Sequence, residues 1–364
     1  MTELFGLTVP EIREALRPFQ VPAYRARQIA EWMYRKGAGD FSGMLNLPAG
    51  LRQALADSFT ISRPHMVSQW DSSDRKTTKF LLAFADGVAV EAVRMHQPYG
   101  NSVCISTQAG CAMGCAFCAS TLHGVRRDLT VGEMMGEVLF IEERLRGVGE
   151  KIDTMVLMGS GEPLMNYDSV LAFLRLLHEP YCLDFGYRNI TISTSGIIPG
   201  IERLQEENLP LTLSISLHAP NDEIRSRLMP VNRRYPIREL VAAGKAYAER
   251  TKRRVTYEYI LIEGINDSEE QARELARLLR GQLASVNLIP INPVAERHLL
   301  RPSPEKIQRF EAMLKRHHIT ATIRREMGSD IQAACGQLRN QYMEQRPDFD
   351  ETLPAPYNIV KEKD

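Results

Sequence analysis

The stretch CISTQAGCAMGCAFCAS, residues 104–120, decides how the chain is read. It holds four of the six cysteines. Cys111, Cys115 and Cys118 are spaced C-x3-C-x2-C, and Cys104 stands seven residues upstream of Cys111. Six cysteines in 364 residues are too few for a disulfide scaffold, and clustered cysteines in a reducing compartment more often bind metal or do chemistry. The loop is rich in Gly, Ala and Ser and follows the strand candidate VCIST, which suits a site better than a packed core. A structural zinc normally takes four ligands in two separated pairs, and no fourth ligand here has matching spacing. An iron–sulfur cluster normally takes four cysteines. Three would leave one iron open to a small molecule, which turns an electron-transfer group into a reaction centre.

Outward from this loop, strand and helix patterns alternate. VCIST, DTMVLMG, NITIST, LTLSISLH, VTYEYILI and VNLIPIN read as strands, and amphipathic helical patterns follow most of them. Near-continuous apolar strands are what a parallel sheet covered by helices needs, and six βα units predict an α/β chain with a partial (βα)6 TIM-like barrel. Residues 1–62 read as a helical accessory domain and 63–100 as a small β linker with a turn at Asp86-Gly87. The barrel is expected over 101–300. A C-terminal helix, strand and cysteine loop follow over 301–343, and an exposed Pro-rich, charged tail over 344–364. Hydrophobic residues at 44% and charged residues at 25% predict a soluble globular protein. No apolar run approaches the roughly 18 residues of a membrane span, and the N-terminus does not read as a signal peptide, so a cytoplasmic protein is expected. Basic and acidic residues balance at 45 each, which argues neither for nor against a nucleic-acid partner. The basic runs RSRLMPVNRRYPIR (225–238) and ERTKRR (249–254) suit either solvated helix faces or one RNA-binding face.

C-x3-C-x2-C with Phe117 before its last cysteine resembles the signature of radical S-adenosylmethionine (SAM) enzymes. The resemblance implies that Cys111, Cys115 and Cys118 hold a 4Fe–4S cluster on a partial TIM-like barrel. It implies that SAM chelates the open iron, and that reduction cleaves SAM to methionine and a 5′-deoxyadenosyl radical. MGSGEP (158–163) is similar to the family's Gly-Glu-Pro loop, with Gly161 and Glu162 placed to hold the SAM amino group. Ser160 departs from the methionine usual there, and a local packing change is expected. TISTSG, SISLHA and PINP end strands, and by resemblance Ser195, Ser216, Leu217, His218 and Asn292 are candidate SAM contacts. His218 equally suits a hydrogen-bonded structural role.

Cys104 together with Cys335, in GSDIQAACGQL, narrows the resemblance to the RlmN/Cfr family of adenine methyltransferases over nearly the whole chain. It implies that Cys335 accepts a methyl group from one SAM. A second SAM then activates that methyl group, the carbon adds to an adenine ring, and Cys104 resolves the adduct by forming a disulfide. Carbon 2 of adenine is electron-poor, so a carbon radical can add where an electrophilic methyl cannot, and a nearby thiolate can break the resulting sulfur link. Glu91 is implied as the base that removes the ring proton. Apart from the resemblance, Cys335 suits a small buried hydrophobe and Glu91 an exposed strand carboxylate. Cys182 has no partner pattern and reads as structural. The implied substrates are an adenosine in the peptidyl-transferase region of 23S rRNA and one beside the tRNA anticodon. An electron donor such as flavodoxin is implied, and a monomer is expected because a large RNA must reach the barrel mouth. Arg25, Arg27, Arg233, Arg234, Arg253 and Arg254 are candidate phosphate contacts. Two alternatives stand: Cfr-type methylation at carbon 8, and a non-catalytic iron–sulfur protein.

Overall fold

A computed structural model describes residues 1–338. The tail expected over 344–364 lies outside the described residues, as does the end of the 301–343 segment.

The N-terminal layer pairs strand β1 (Thr2–Glu3) with β2 (Phe59–Thr60) around helices α1 (Val9–Ala15), α2 (Tyr24–Tyr34) and α3 (Ala49–Ser58). Ile12, Ile29, Met33 and Leu55 fall at helical spacing and are buried. Strands β3 (His65–Asp71), β4 (Thr77–Ala83) and β5 (Ala89–Gln97) form an antiparallel meander. They do not stand apart as a linker. β5 pairs antiparallel with β6 (Gly100–Cys104), so the meander continues the large sheet. β7 (Gln108–Gly110) and β8 (Val125–Asp128) frame the cysteine loop as a separate two-stranded ribbon.

Beyond the ribbon come α4 (Val131–Arg146), β9 (Ile152–Leu157), α5 (Tyr167–His178), β10 (Ile190–Thr194), α6 (Ile198–Glu206), β11 (Thr212–Ser216), α7 (Asp222–Leu228), α8 (Ile237–Thr251), β12 (Val255–Leu261), α9 (Glu269–Leu278), β13 (Ala284–Pro290), α10 (Pro304–Arg316) and β14 (Ala321–Ile323). The order across the sheet is β14-β13-β12-β11-β10-β9-β6-β5-β4-β3. All pairs from β6 through β14 are parallel. The six expected barrel strands are β6 and β9 to β13, and β14 extends them by one. Helices bury one stripe against this sheet, as Ala272, Leu275 and Ala276 do on α9.

Local sequence fixes the joints. Thr130 caps α4 by accepting from the Glu133 amide at 3.2 Å, while the Glu133 carboxylate accepts from the Thr130 amide at 2.8 Å. The N-terminal layer docks on α4 at Gly132, where a Cβ would stand 2.5 Å from the Phe5 carbonyl oxygen.

Candidate active site

The carboxyl ends of the parallel strands converge on two adjoining cavities, the place where such sheets present ligand groups. The inner cavity, of about 140 Å³, is lined by Cys111, Cys115 and Cys118 and by Gly161, Glu162, Ser195, Ser216 and His218. The outer cavity, of about 300 Å³, is lined by Cys104, Asn292, Arg301 and Arg325 among others. Cys335, Met158, Ile289 and Arg324 line both.

The cysteine loop is pinned from two sides. The Ala116 amide donates to the Leu228 carbonyl at 2.9 Å, and the Ala119 amide to the Gly336 carbonyl at 2.7 Å. Burial pushes the Cys111 thiol up to about 12 and raises those of Cys115 and Cys118. Metal-free, these are neutral thiols, and iron must displace their protons. Among the described residues, no group of three or more His, Cys, Asp or Glu is tight enough to chelate one metal ion.

The Gly-Glu-Pro turn is held by backbone constraint. Gly161 has φ +107°, and a Cβ there would stand 2.7 Å from the Gln108 amide nitrogen. Glu162 is buried and accepts from the Ser195 amide at 2.6 Å and the Leu164 amide at 3.1 Å. Burial raises its carboxyl, so an arriving ammonium would favour the anion. The Ser195 hydroxyl is buried beside the Glu162 carboxylate, whose anion it favours, and it lines the inner cavity with no other partner among the described residues. A buried hydroxyl and carboxylate side by side in the cavity wall fit a polar, ammonium-bearing ligand such as SAM. Ser160, where the family usually has methionine, bonds through its hydroxyl to the Ser120 hydroxyl at 3.3 Å, and Ser120 donates to the Leu338 carbonyl at 2.7 Å. That hydroxyl pair ties the Gly-Glu-Pro turn to the Cys335 loop. His218 accepts from the Ile260 amide on Nδ1 at 2.9 Å and packs edge-on against Phe117. Burial, reinforced by Arg225, pushes it down to about 3, so its imidazole is neutral.

Two of the expected SAM contacts do not line the inner cavity. Leu217 is fully buried and lines neither cavity. Asn292 lines the outer cavity only, and its amide donates to the Cys335 carbonyl at 3.0 Å. It fastens the Cys335 loop, because PINP ends β13 on the side where that loop crosses.

Strand register brings the other candidates together. Val93 pairs with both Lys79 and Cys104, and Glu91 lies two residues from Val93, so Lys79, Glu91 and Cys104 share a sheet face. The Glu91 carboxylate is buried and forms an ion pair with Lys79 at 2.9 Å. It is not the exposed strand carboxylate that residue type alone would suggest. It lines neither cavity. Lys79 also donates to the Gln332 carbonyl at 3.3 Å, three residues before Cys335. Ala333 and Leu338 pack the same loop on Val93 and Cys104. Burial, with help from Cys335, pushes the Cys104 thiol up to about 12. Arg324, which the sequence reading missed, lies near both thiols; its charged form is favoured by Cys335, then Glu258 and Cys104. It forms an ion pair with Glu258 at 3.8 Å. Cys182 is buried away from both cavities.

The basic candidates divide. Arg233 and Arg234 are exposed just beyond Pro230, which adjoins Gly114 of the cysteine loop. Arg253 instead bonds the Leu211 carbonyl and the Thr212 hydroxyl at the amino ends of the strands, opposite the cavities, and Arg254 follows it there. Those two are removed from the site. Arg25 and Arg27 bond within the N-terminal layer, to the Asn46 carbonyl and to Glu31. Arg301 and Arg325, at the outer cavity, were not foreseen.

A three-cysteine loop over the carboxyl ends of a parallel half-barrel, beside a Gly-Glu-Pro turn, defines a radical SAM enzyme. The Radical SAM superfamily profile matches residues 105–276, and that of the ribosomal RNA large subunit methyltransferase N-terminal domain matches residues 2–61. A probable dual-specificity RNA methyltransferase RlmN of Symbiobacterium thermophilum is 54% identical over 92% of this chain and 91% of its own. The protein so named in Pelotomaculum thermopropionicum is 51% identical over 92% and 90%. The crystal structure of a radical SAM methyltransferase from Sphaerobacter thermophilus superposes with a TM-score of 0.90 at 48% identity, covering 93% of this chain and 99% of that one. The chain belongs to the RlmN family of radical SAM methyltransferases, whose cofactors are a 4Fe–4S cluster and SAM. Membership removes the reading as a non-catalytic iron–sulfur protein. No described helix is long and apolar enough to cross a membrane.

Proposed function

We propose that the chain methylates carbon 2 of an adenosine in 23S rRNA and of an adenosine beside the tRNA anticodon, with Cys335 as the methyl carrier. One observation carries this reading: Cys335 stands in the wall common to both cavities, with Cys104 in the outer one. The names of the relatives support the substrate class.

When bound, the cluster and SAM supply the methyl group and the one-electron chemistry. Cys111, Cys115 and Cys118 would hold the cluster; Gly161, Glu162, Ser195, Ser216 and His218 would hold SAM. The neutral His218 imidazole offers its remaining nitrogen as a donor. Cys335 takes the methyl group on Sγ from the inner side. A base flipped out of the RNA enters the outer cavity, because a ring inside folded RNA cannot be reached in place. The carried carbon, stripped of one hydrogen atom by that one-electron chemistry, joins carbon 2 of the base with one electron handed back, and Glu91, which lies behind the outer cavity on the face it shares with Cys104, leaves Lys79 to take the ring proton. The Cys104 thiolate attacks the Cys335 sulfur, the sulfur–methylene bond breaks as the disulfide closes, and the freed methylene carbon takes a proton to become the methyl group of the released base. Arg301 and Arg325 at the outer cavity, with Arg233 and Arg234 beside the cysteine loop, supply phosphate contacts. The enzyme works as a cytoplasmic monomer, with electrons from a donor such as flavodoxin.

The test is nucleoside mass spectrometry of unmodified 23S rRNA and tRNA after anaerobic incubation with reconstituted protein, reductant and SAM. Expected is 2-methyladenosine in both. 8-Methyladenosine would overturn the positional assignment and keep the chemistry. Cleaved SAM with no methylated adenine would overturn the substrate.

A further inference from the structure

Arg225 on α7 is 0% exposed, in the wall behind the inner cavity. All five of its N–H groups are engaged. Nε donates to the Leu217 carbonyl at 3.2 Å, Nη1 to Asn232 Oδ1 at 3.0 Å and the Tyr235 carbonyl at 3.4 Å, and Nη2 to the Ser195 and Ser216 carbonyls at 2.6 and 3.1 Å. Every acceptor is neutral. Among the described residues no carboxylate is within ion-pair distance. Asp222 is reached only through Asn232, whose amide donates to it at 2.9 Å.

Stripping a guanidinium of water and giving it only neutral acceptors is costly, and such a charge persists where negative charge offsets it. α7 carries Arg225 to the cysteine loop, since its Leu228 carbonyl accepts from the amide of Ala116, the residue after Cys115. Burial pulls the guanidinium down to about 10, and a thiolate at Cys115 would offset that more than Asp222 does. Three thiolates on a 4Fe–4S core give a negatively charged group, and reduction adds one more negative charge. The residues that would hold the cluster thus supply the offset the protein itself does not.

We propose that Arg225 is the counter-charge of the cluster, a positioning residue that favours its reduced state while its fork holds the Ser195 and Ser216 strand ends. The step is transfer of one electron from an external reductant to the cluster, with no proton moved. The proposal rests on the reading of Cys111, Cys115 and Cys118 as the ligands.

The test uses full-length protein with reconstituted cluster, without SAM or RNA, titrated with dithionite and read by the electron paramagnetic resonance of the reduced cluster. At the poise that half-reduces wild type, Arg225→Met is expected to lower the reduced-to-oxidised ratio about tenfold, the scale of one lost charge at short range. Arg225→Lys is expected to stay near wild type. An unshifted potential in Arg225→Met with full iron content would overturn the proposal and leave Arg225 a clasp of loops. If Arg225→Met fails to fold, Arg225→Gln, which keeps an amide for the two carbonyls, is judged by the same shift. A wild type that binds no cluster would instead refute the ligand reading.

Discussion

The two cavities meet at Cys335 but are built by opposite rules. The inner one is closed by backbone: strand ends, Gly161 at positive φ, and a guanidinium holding carbonyls. The outer one is lined by side chains, including arginines and methionines, brought in from β5, β9 and the segment after β14. A site that binds one small cofactor in one pose gains from preorganised backbone. A site that receives a base on a large RNA gains from charge at its mouth and a carrier that can serve both sides.

The sharpest way to break this division is at the cysteines. Cys115→Ala should abolish both SAM cleavage and RNA methylation. Cys335→Ala should abolish RNA methylation and leave SAM cleavage by the reduced enzyme, measured by chromatography of 5′-deoxyadenosine. Loss of cleavage in Cys335→Ala would mean the cavities are not separable. Next in size is Gly161→Ala. A Cβ at φ +107° against a backbone nitrogen is strained by about 1–3 kcal/mol, so SAM affinity should fall about 5- to 150-fold by equilibrium dialysis while RNA affinity stays unchanged. A smaller effect belongs to the mouth. Reversing Arg233 and Arg234, or Arg325, should weaken RNA binding and flatten its salt dependence by about one unit for each phosphate no longer neutralised. Methylation of Cys335, read by peptide mass, should persist. Arg253→Glu, at the far end of the barrel, should not affect RNA binding.

The smallest effect is electrostatic. His218 is pushed down to about 3 in the fold, whereas an unfolded histidine titrates near 6.5. Between those values the unfolded chain binds a proton that the folded chain refuses, so stability falls as pH drops below about 6.5. From pH 7.5 to 5.5 the metal-free wild type should lose about 1 kcal/mol more than His218→Gln in urea unfolding. Equal losses would place His218 in contact with solvent.

Much of the inner cavity was legible because its residues are close in sequence or end strands of clear pattern. Spacing marked Cys111, Cys115 and Cys118 as a group, resemblance to the radical SAM family pointed to Gly161, Ser195 and Ser216, and all six line the inner cavity. The outer cavity was less legible because its contacts are tertiary. Lys79 meets Glu91 only through the register of β4 on β5. Arg324 becomes notable only when β14 sets it beside cysteines far away in the chain. Asn292 ends a strand, and only the fold shows its amide meeting the Cys335 carbonyl. Arg225 and Arg253 each looked like part of a basic run. Burial made one an internal clasp, and strand polarity put the other at the wrong end.

On the function proposed above, the Cys335 sulfur serves both cavities and the Cys104 sulfur frees it. The direct measurement is the intact mass of Cys104→Ala after turnover with SAM, reductant and RNA. A covalent protein–RNA adduct at Cys335 should accumulate there, and none should form in Cys335→Ala. Free methylated RNA from Cys104→Ala at the wild-type rate, with no adduct, would contradict the account.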